Sequence, residues 1–185
     1  MRHHLAELLA AHAPVDDLEA EHHRRMLELA GVAGDPFSRH HFAPGHFTAS
    51  AFVVSPDLRS MLLILHGKLG LWLQPGGHID AEDGDVIAAA RREVAEETGL
   101  SQVEPLDAFP RLLDLDIHPI PPNPKKGEPA HEHFDVRIAL RSSTWDFVAG
   151  SDASAARWVP LAEVEQVGTD ESVRRALRTL RAAIA

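Results

Sequence analysis

Three glutamates in the middle of the chain, Glu93, Glu96 and Glu97, are spaced like one face of a helix. At 100° per residue their side chains fall within an arc of roughly 100°. Carboxylates this close repel each other, and they lie near the helix C-terminus, the unfavourable end for negative charge. A hard divalent cation would make this arrangement favourable, because Mg²⁺ takes oxygen ligands from carboxylates and substrate phosphates. The alternative, a solvated helix face, is common for such a run on its own.

The residues before this cluster favour the metal site over the solvated face. A Pro-Gly-Gly turn at 75–77 follows an apolar stretch, and glycines let backbone approach other groups closely. Asp83 or Asp85 can cap a helix predicted over 86–98, and Gly99 can end it. The pattern therefore predicts a strand–loop–helix unit in which backbone carbonyls and carboxylates converge.

This segment resembles the Nudix box, whose pattern is Gly, five residues, Glu, seven residues, Arg-Glu, an aliphatic, any residue, Glu-Glu, any residue, Gly, aliphatic. Residues 92–100 match its second half throughout, and Gly77 matches its first glycine. The pattern has 13 residues between the first glycine and the arginine, whereas residues 78–91 number 14. The loop glutamate of the pattern therefore corresponds to either Glu82 or Asp83, and the metal-binding half is undisturbed.

The resemblance implies an α/β fold, a Nudix-like α/β/α sandwich with a mixed β-sheet, and Mg²⁺- or Mn²⁺-dependent hydrolysis of a diphosphate linkage. It makes Glu97 a principal metal ligand, and Glu93 and Glu96 further ligands, with Glu93 also able to act as a base. Gly76 would offer its backbone carbonyl to the metal. Arg92 would orient Glu93 and offset part of the carboxylate repulsion, which adds Arg92 to the three glutamates as a catalytic group.

Thirteen histidines are many for a chain of this length, and several of them cluster around a proline-rich segment. If residues 131–135 are extended, His131 and His133 point to one face and Glu132 to the other. His118 and His78 could join them. These four histidines are candidates for lining the substrate pocket. Two alternatives remain open. The histidines could form a transition-metal site, since imidazole suits zinc, iron or nickel, or they could have structural roles only.

Two further groups of side chains lie outside the box. Many family members use an additional acid as base or ligand, and Glu132 and Asp152 are the candidates here, with a solvated loop carboxylate as the alternative for each. Three aromatic side chains, Trp72, Phe134 and Trp145, could stack on a base. Core packing is the expectation for each of them.

The rest of the chain must supply the scaffold. Residues 1–35 are predicted to form a helical extension packed on a main domain of residues 36–185, because apolar residues recur at helical spacing. Leu5, Leu8 and Leu9 recur at helical spacing in one helix, and a second helix from about Asp16 to Ala30 carries Leu18, His22, Met26 and Leu29 on one face. Strands are predicted near 47–54, 60–66, 71–74, 111–119, 133–140 and 156–159, a last helix near 170–183, and a loop over 119–129.

Composition limits the partners and the compartment. The 185 residues carry 18 Lys and Arg against 28 Asp and Glu, a net charge of −10, and no cysteine. We therefore expect a small phosphorylated substrate, a nucleotide derivative, rather than a long nucleic acid. No apolar run reaches the ~18 residues that span a bilayer, so no membrane partner is expected. The absence of thiols fits a cytoplasmic location, and a homodimer is compatible with the sequence.

Two other functions compete with hydrolysis. A non-catalytic Nudix domain that senses a ligand is less favoured because all three box glutamates are present. Isopentenyl diphosphate isomerases share the fold, but they use an active-site cysteine that this chain lacks. The default substrate is a nucleoside diphosphate linked to another moiety, such as a nucleotide sugar or ADP-ribose.

Overall fold

The computed structural model describes residues 1–107, 112–148 and 155–184. In these ranges, helices lie on both sides of one mixed β-sheet, which confirms the predicted α/β class. The helices are α1 (Arg2–Ala11), α2 (Asp17–Ala30), α3 (Val86–Thr98) and α4 (Glu171–Ile184). The strands are β1 (Gly45–Val54), β2 (Ser60–His66), β3 (Leu71–Leu73), β4 (Gly76–His78), β5 (Val103–Pro105), β6 (Asp114–Ile120), β7 (His131–Ser142) and β8 (Ala156–Pro160). Two short 3-10 helices cover Pro124–Lys126 and Leu161–Gln166.

Strand β1 lies at the centre of the sheet and fixes the position of its neighbours. It runs parallel to β7 over ten residue pairs, from Gly45↔Glu132 to Val54↔Arg141. On its other side it pairs antiparallel with the short β4 and, at its end, with β2. Strands β5 and β6 extend the sheet beyond β7, and β3 and β8 extend it beyond β2. The parallel pairing of β1 and β7 places two distant segments of the chain in register.

The N-terminal helices bury their apolar faces against this sheet. Leu5, Leu8 and Leu9 of α1 and Met26 and Leu29 of α2 are buried, and they belong to the same apolar cluster as the core of the sheet. Full burial of one such side chain stabilises the fold by ~1.5–3 kcal/mol. The boundary proposed between the helical extension and the main domain remains a prediction.

The buried face of α2 differs from the prediction at its first turn. Leu18, predicted on the same face as Met26 and Leu29, is 54% exposed and lines an open cleft. Its neighbour Glu19 is fully buried instead. The Glu19 carboxylate accepts hydrogen bonds from His12 Nε2 at 2.8 Å, from the Val15 amide at 2.7 Å and from the Leu115 amide of β6 at 3.1 Å. A buried carboxylate is tolerated here because three donors surround it.

Several strand boundaries also differ from the sequence pattern. The strand predicted at 111–119 is Asp114–Ile120, and residue 111 lies outside the described residues. Strand β7 begins two residues earlier and ends two residues later than 133–140. Strands β4 and β5 were not predicted, because each has only three residues and β4 is Gly-Gly-His, which lacks β-branched side chains. The expected loop over 119–129 begins later, because Pro119 and Ile120 still pair with β7.

Candidate active site

The box glutamates lie on α3, whose ends are formed as the sequence predicts. The Asp85 side chain accepts a hydrogen bond from the Ala88 amide at 2.8 Å and caps the N-terminus. Gly99 ends the helix with a φ of 66°, in the left-handed region that favours glycine. Val94 is fully buried and anchors α3 to the sheet, whereas the opposite face carries the glutamates.

The two glycines of β4 bring backbone against these carboxylates. The Gly76 amide donates a hydrogen bond to Glu97 Oε2 at 3.0 Å. A Cβ atom on Gly77 would lie 2.7 Å from the carboxyl carbon and oxygens of Glu93, and one on Gly76 would lie 2.3 Å from Ser50 Cβ. An alanine at Gly76 would collide with the central strand, and one at Gly77 would displace the Glu93 carboxylate. The missing side chains of β4 therefore let Glu93 and Glu97 lie against this strand.

Arg92 connects the carboxylates to the loop before the helix. Its Nη1 donates to Glu93 at 2.9 Å and to Glu96 at 3.1 Å. Its Nη2 donates to the His78 carbonyl at 2.8 Å and to Asp83 at 3.0 Å, and its Nε donates to Asp83 at 3.1 Å. These acids hold the pKa of Arg92 above its ordinary value. The arginine thus offsets negative charge and fixes the orientation of Glu93.

This geometry indicates which residue fills the loop-acid position. The Asp83 side chain is 7% exposed and forms a two-pronged pair with Arg92, whereas Glu82 is exposed. The inserted residue of the loop is accommodated without moving the acid away from the arginine. Of the two candidates, Asp83 is the one placed to hold the box together.

Burial also changes the chemistry of Glu93. Its side chain is 13% exposed, compared with 58% for Glu96. Burial raises the pKa of Glu93; Arg92 opposes this shift, and the charges of Glu96 and Asp80 add to it. A carboxylate crowded by other negative groups gains from a cation more than an isolated one does.

The donor set suits a hard divalent cation. Glu93 and Glu97 offer carboxylate oxygens beside a glycine backbone with no side chain in the way, and Glu96 extends the set toward solvent. Oxygen donors of this kind match Mg²⁺ and Mn²⁺, not a thiophilic metal. The residues that the sequence assigned to a metal therefore lie together, while the coordination itself remains a proposal.

The predicted histidines also come together, and their group includes His46, which the sequence did not single out. His46 of β1 is in register with His133 of β7, which is in register with His118 of β6. The His133 ring lies 4.8 Å from that of His46, 5.3 Å from His78, 5.4 Å from His131 and 5.5 Å from His118, between ring centroids. His133 is therefore the central ring of the group, and His46 is fully buried beside it.

Three of these rings are neutral near pH 7. Burial is the largest cause in each case, and it lowers the pKa of His46 and of His78 to about 4. Burial lowers the pKa of His133 still further, and neighbouring histidines add to the shift. A neutral imidazole donates one hydrogen bond and accepts one. These rings are therefore poor partners for a phosphate that needs positive charge.

Sequence reasoning missed a polar network on the same face of the sheet. Asp135 accepts hydrogen bonds from Ser50 at 2.7 Å, from Thr48 at 3.2 Å and from the buried Arg137 at 3.1 Å. Arg137 also donates to Asp114 of β6 at 3.1 Å. The available signal was the polar residue at every second position in three separate segments, which places these side chains on one strand face.

Of the two candidate acids outside the box, one is described. Glu132 is ion-paired with Arg25 of α2, and its place in β7 puts it on the face opposite His131 and His133, as the alternation predicted. The structure thus does not group Glu132 with these histidines, and a role as base stays a prediction. Asp152 lies outside the described residues.

The three aromatic candidates have different environments. Phe134 is buried in the core, and Trp72 is half-buried under the Arg157 guanidinium at 4.1 Å. Trp145 is 46% exposed, so the expectation of core packing is wrong for it. Its ring packs edge-on against Trp158 with 5.6 Å between ring centroids, at the surface.

Two clefts in the described structure are large enough for a nucleotide. One, of about 650 Å³, is bordered by Gln74, directly before the glycine turn, and by His118 and Arg137 of the polar sheet face. The other, of about 940 Å³, lies around Leu58 and Leu106, and none of the predicted site residues lines it. The smaller cleft is the better candidate because its lining includes His118, a predicted site residue, and Gln74, two residues before Gly76; the box glutamates themselves do not line it. In the described parts of the chain, none of the helices has both the length and the apolar composition needed to cross a bilayer.

Comparison with known proteins agrees with this geometry. A family profile described as the NUDIX domain matches residues 44–180. The chain is 37% identical over 73 residues to the m7GpppN-mRNA hydrolase NUDT17 of Danio rerio, covering 40% of this chain and 24% of that protein. It is 32% identical over 93 residues to a probable DHNTP pyrophosphohydrolase of Lactococcus lactis subsp. cremoris, covering 50% of this chain and 52% of that protein.

The chain therefore spans about half or less of the length of these curated relatives. Among solved structures, a NUDIX family hydrolase from Clostridium perfringens superposes with a TM-score of 0.53 at 25% identity, covering 74% of this chain and 97% of that one. Profile, fold and box residues agree, and the protein belongs to the NUDIX family.

Proposed function

We propose that the protein is a Mg²⁺-dependent hydrolase that cleaves the diphosphate linkage of a nucleoside diphosphate joined to another moiety. The observation that carries this proposal is the convergence of Glu93 and Glu97 on the glycine turn of β4. Family membership supports the reaction class, and the names of the two curated relatives, which act on an mRNA cap and on a pterin triphosphate, support a phosphate-chain substrate.

Four residues would hold the cation. We assign it to the carboxylates of Glu93, Glu96 and Glu97 and to the backbone carbonyl of Gly76, with Mn²⁺ as a substitute for Mg²⁺. When bound, such an ion neutralises phosphate charge and lowers the pKa of an attacking water.

The chain's own side chains perform the remaining tasks. Arg92 holds the Glu93 carboxylate in place from one side while Asp83 holds Arg92 from the other, so the glutamate is oriented before substrate arrives. Glu93 is our first candidate for accepting a proton at a carboxylate oxygen, because burial raises its pKa above the ordinary value. Glu132, paired with Arg25, and Asp152 are the alternatives.

We place the nucleotide portion of the substrate in the cleft of about 650 Å³ beside Gln74. Its volume suits a nucleotide-sized ligand, and its polar wall offers hydrogen bonds from several strands. His118 lines this cleft, and contact of His78, His131 and His133 with the substrate remains a prediction. A nucleotide sugar or ADP-ribose is the default, since a diphosphate between two ring systems fits a cleft whose lining includes Gln74, close to the turn. A cytoplasmic location and a homodimer remain predictions.

A substrate screen tests the proposal. Untagged protein is incubated with ADP-ribose, nucleotide sugars, NADH, dinucleoside polyphosphates, a cap analogue and nucleoside triphosphates, with Mg²⁺, with Mn²⁺ or with EDTA. For the compounds whose phosphate chain is blocked at both ends, an added phosphatase then releases phosphate only from newly formed monophosphate ends. Nucleoside triphosphates are assayed instead by their release of inorganic pyrophosphate. We expect metal-dependent release from at least one diphosphate-linked compound.

The same screen separates the competing functions. Binding of a panel member with no release under any metal condition would favour the non-catalytic sensing domain. Release that is unchanged in EDTA would contradict the metal-dependent mechanism. An isomerase activity toward isopentenyl diphosphate is not expected, because the chain has no cysteine.

A further inference from the structure

Three histidines that lie outside the box form a second cluster of metal-ligating atoms. One ring nitrogen from each of His46, His131 and His133 lies within 4.8 Å of the other two. Tetrahedral zinc with bonds of about 2.0–2.1 Å requires nitrogen atoms about 3.3 Å apart. The three nitrogen atoms would therefore have to approach one another by up to about 1.5 Å to share one ion.

The backbone under this cluster is paired β-sheet, and it places the three rings on one face. His46 of β1 is paired in register with His133 of β7, in the longest strand pairing of the described sheet. His131 precedes His133 by two residues and so points to the same side of β7. Sites built on strands hold their ligands more accurately than sites built on loops.

Two of the rings already have the second hydrogen bond that metal-ligating histidines make. His46 Nδ1 lies 3.2 Å from the His41 carbonyl, and His131 Nδ1 lies 2.8 Å from the Pro129 carbonyl. A carbonyl only accepts, so each Nδ1 must carry the proton and each Nε2 presents a lone pair. A backbone carbonyl that fixes the tautomer in this way is the usual partner of a histidine ligand.

The Nε2 atom of His46 has no hydrogen-bond partner in the described structure, although it is buried. A buried polar atom left unsatisfied costs about 1–3 kcal/mol. An acceptor lone pair calls for a cation or a hydrogen-bond donor, and it repels a phosphate oxygen.

We propose that His46, His131 and His133 bind one transition-metal ion of the zinc class, at a site separate from the carboxylate site of the box. Three imidazoles suit zinc and its neighbours, whereas Mg²⁺ prefers oxygen ligands. His78, with its ring 5.2 Å from that of His46, borders the fourth position. That position is left for water or for an oxygen of a bound ligand, as in zinc sites with three protein ligands.

Zinc binding by the protein itself provides the test. Untagged full-length protein is stripped with EDTA, dialysed and titrated with Zn²⁺ by calorimetry. We expect one equivalent to bind, and we expect the His131→Gln/His133→Gln double variant to bind at least about 100-fold more weakly. His40→Gln is the matched control, because His40 is an exposed neighbour of this cluster and should leave the affinity unchanged.

Two further measurements keep the result decisive. A Glu93→Gln/Glu97→Gln variant should retain the zinc equivalent, and its loss there would assign the ion to the box and overturn the proposal. Stripped wild-type protein titrated with Co²⁺ should give the strong visible bands of a four-coordinate ion, a readout that does not depend on any variant folding. Wild-type protein that binds no zinc, or a properly folded double variant that binds it as tightly as wild type, would also overturn the proposal.

Discussion

Alanine at Gly77 should damage the carboxylate site while leaving the fold intact. The new Cβ would lie 2.7 Å from the Glu93 carboxyl group, and ordinary contact begins at 3.4 Å, so the carboxylate must move by about 0.7 Å. The atoms it meets are the end of a side chain that can rotate, so the backbone need not shift. Misplacing a reacting group by ~1 Å can cost about 10²-fold in rate. We expect kcat/KM to fall about 10- to 100-fold.

Two other glycines provide the controls. Alanine at Gly76 would place its Cβ 2.3 Å from Ser50 Cβ and 2.8 Å from the Ala49 carbonyl oxygen, atoms of the central strand that cannot rotate away. This variant should lose about 1–3 kcal/mol of stability or fail to fold. Alanine at Gly84, in the same loop, meets nothing within 4 Å and should behave like wild type.

The assay combines urea unfolding with hydrolysis of the best substrate over a Mg²⁺ titration. For Gly77→Ala we expect a near-normal unfolding midpoint together with reduced turnover and a higher Mg²⁺ requirement. Wild-type turnover and a wild-type Mg²⁺ requirement would show that Glu93 does not act from the position it occupies here. Destabilisation equal to that of Gly76→Ala would show that the turn, rather than the carboxylate, yields to the added methyl group.

Three other outcomes are expected. Asp83→Asn should lower kcat about 10-fold, because it weakens the ion pair that holds Arg92 in place. Glu82→Gln, at the exposed neighbouring residue, should leave kcat unchanged. Equal effects of the two substitutions on kcat would contradict the assignment of Asp83 as the loop acid. Millimolar Mg²⁺ should raise the melting temperature of wild type but not of Glu93→Gln/Glu97→Gln, and an equal shift in both would place the ion elsewhere. The Glu19 pKa is lowered: burial alone would raise it, but the hydrogen bond from His12 and those from two backbone amides outweigh burial. The ionised Glu19 carboxylate therefore stabilises the fold above pH 4.5, and this stabilisation is lost as the pH falls. Glu19→Gln should lower the free energy of unfolding, measured by urea denaturation, by about 1–3 kcal/mol at pH 7 and by progressively less in acid. A loss of stability that does not depend on pH would contradict this.

The carboxylate site could be predicted from the sequence because its parts are local. The glycine turn, the capping aspartate, the glutamates and the terminating glycine all lie within one strand–loop–helix segment. Helical periodicity alone places Glu93 and Glu97 on one face. The choice between Glu82 and Asp83 required the structure, since both lie in a loop whose path the pattern does not determine.

The histidine cluster could be predicted only in part, because the position of one member, His46, depends on the pairing of two strands that are far apart in the chain. His131 and His133 share a strand and were grouped by alternation. His46 lies 87 positions away from His133 in the chain, and only the register of β1 against β7 brings it there. Trp145 shows the reverse case, an apolar side chain whose type predicts burial but whose surroundings leave it at the surface.

The central claim is that the box glutamates hold the ion needed for hydrolysis, and Glu97→Gln tests it most directly. Turnover of the best substrate is measured at saturating Mg²⁺ for wild type, for Glu97→Gln and for Glu104→Gln, an exposed carboxylate paired with Arg91. Loss of a ligand worth several kcal/mol corresponds to a fall in turnover of about 10²- to 10³-fold, with the fold intact. The account predicts that fall for Glu97→Gln and wild-type turnover for Glu104→Gln. Near-wild-type turnover in Glu97→Gln would contradict it.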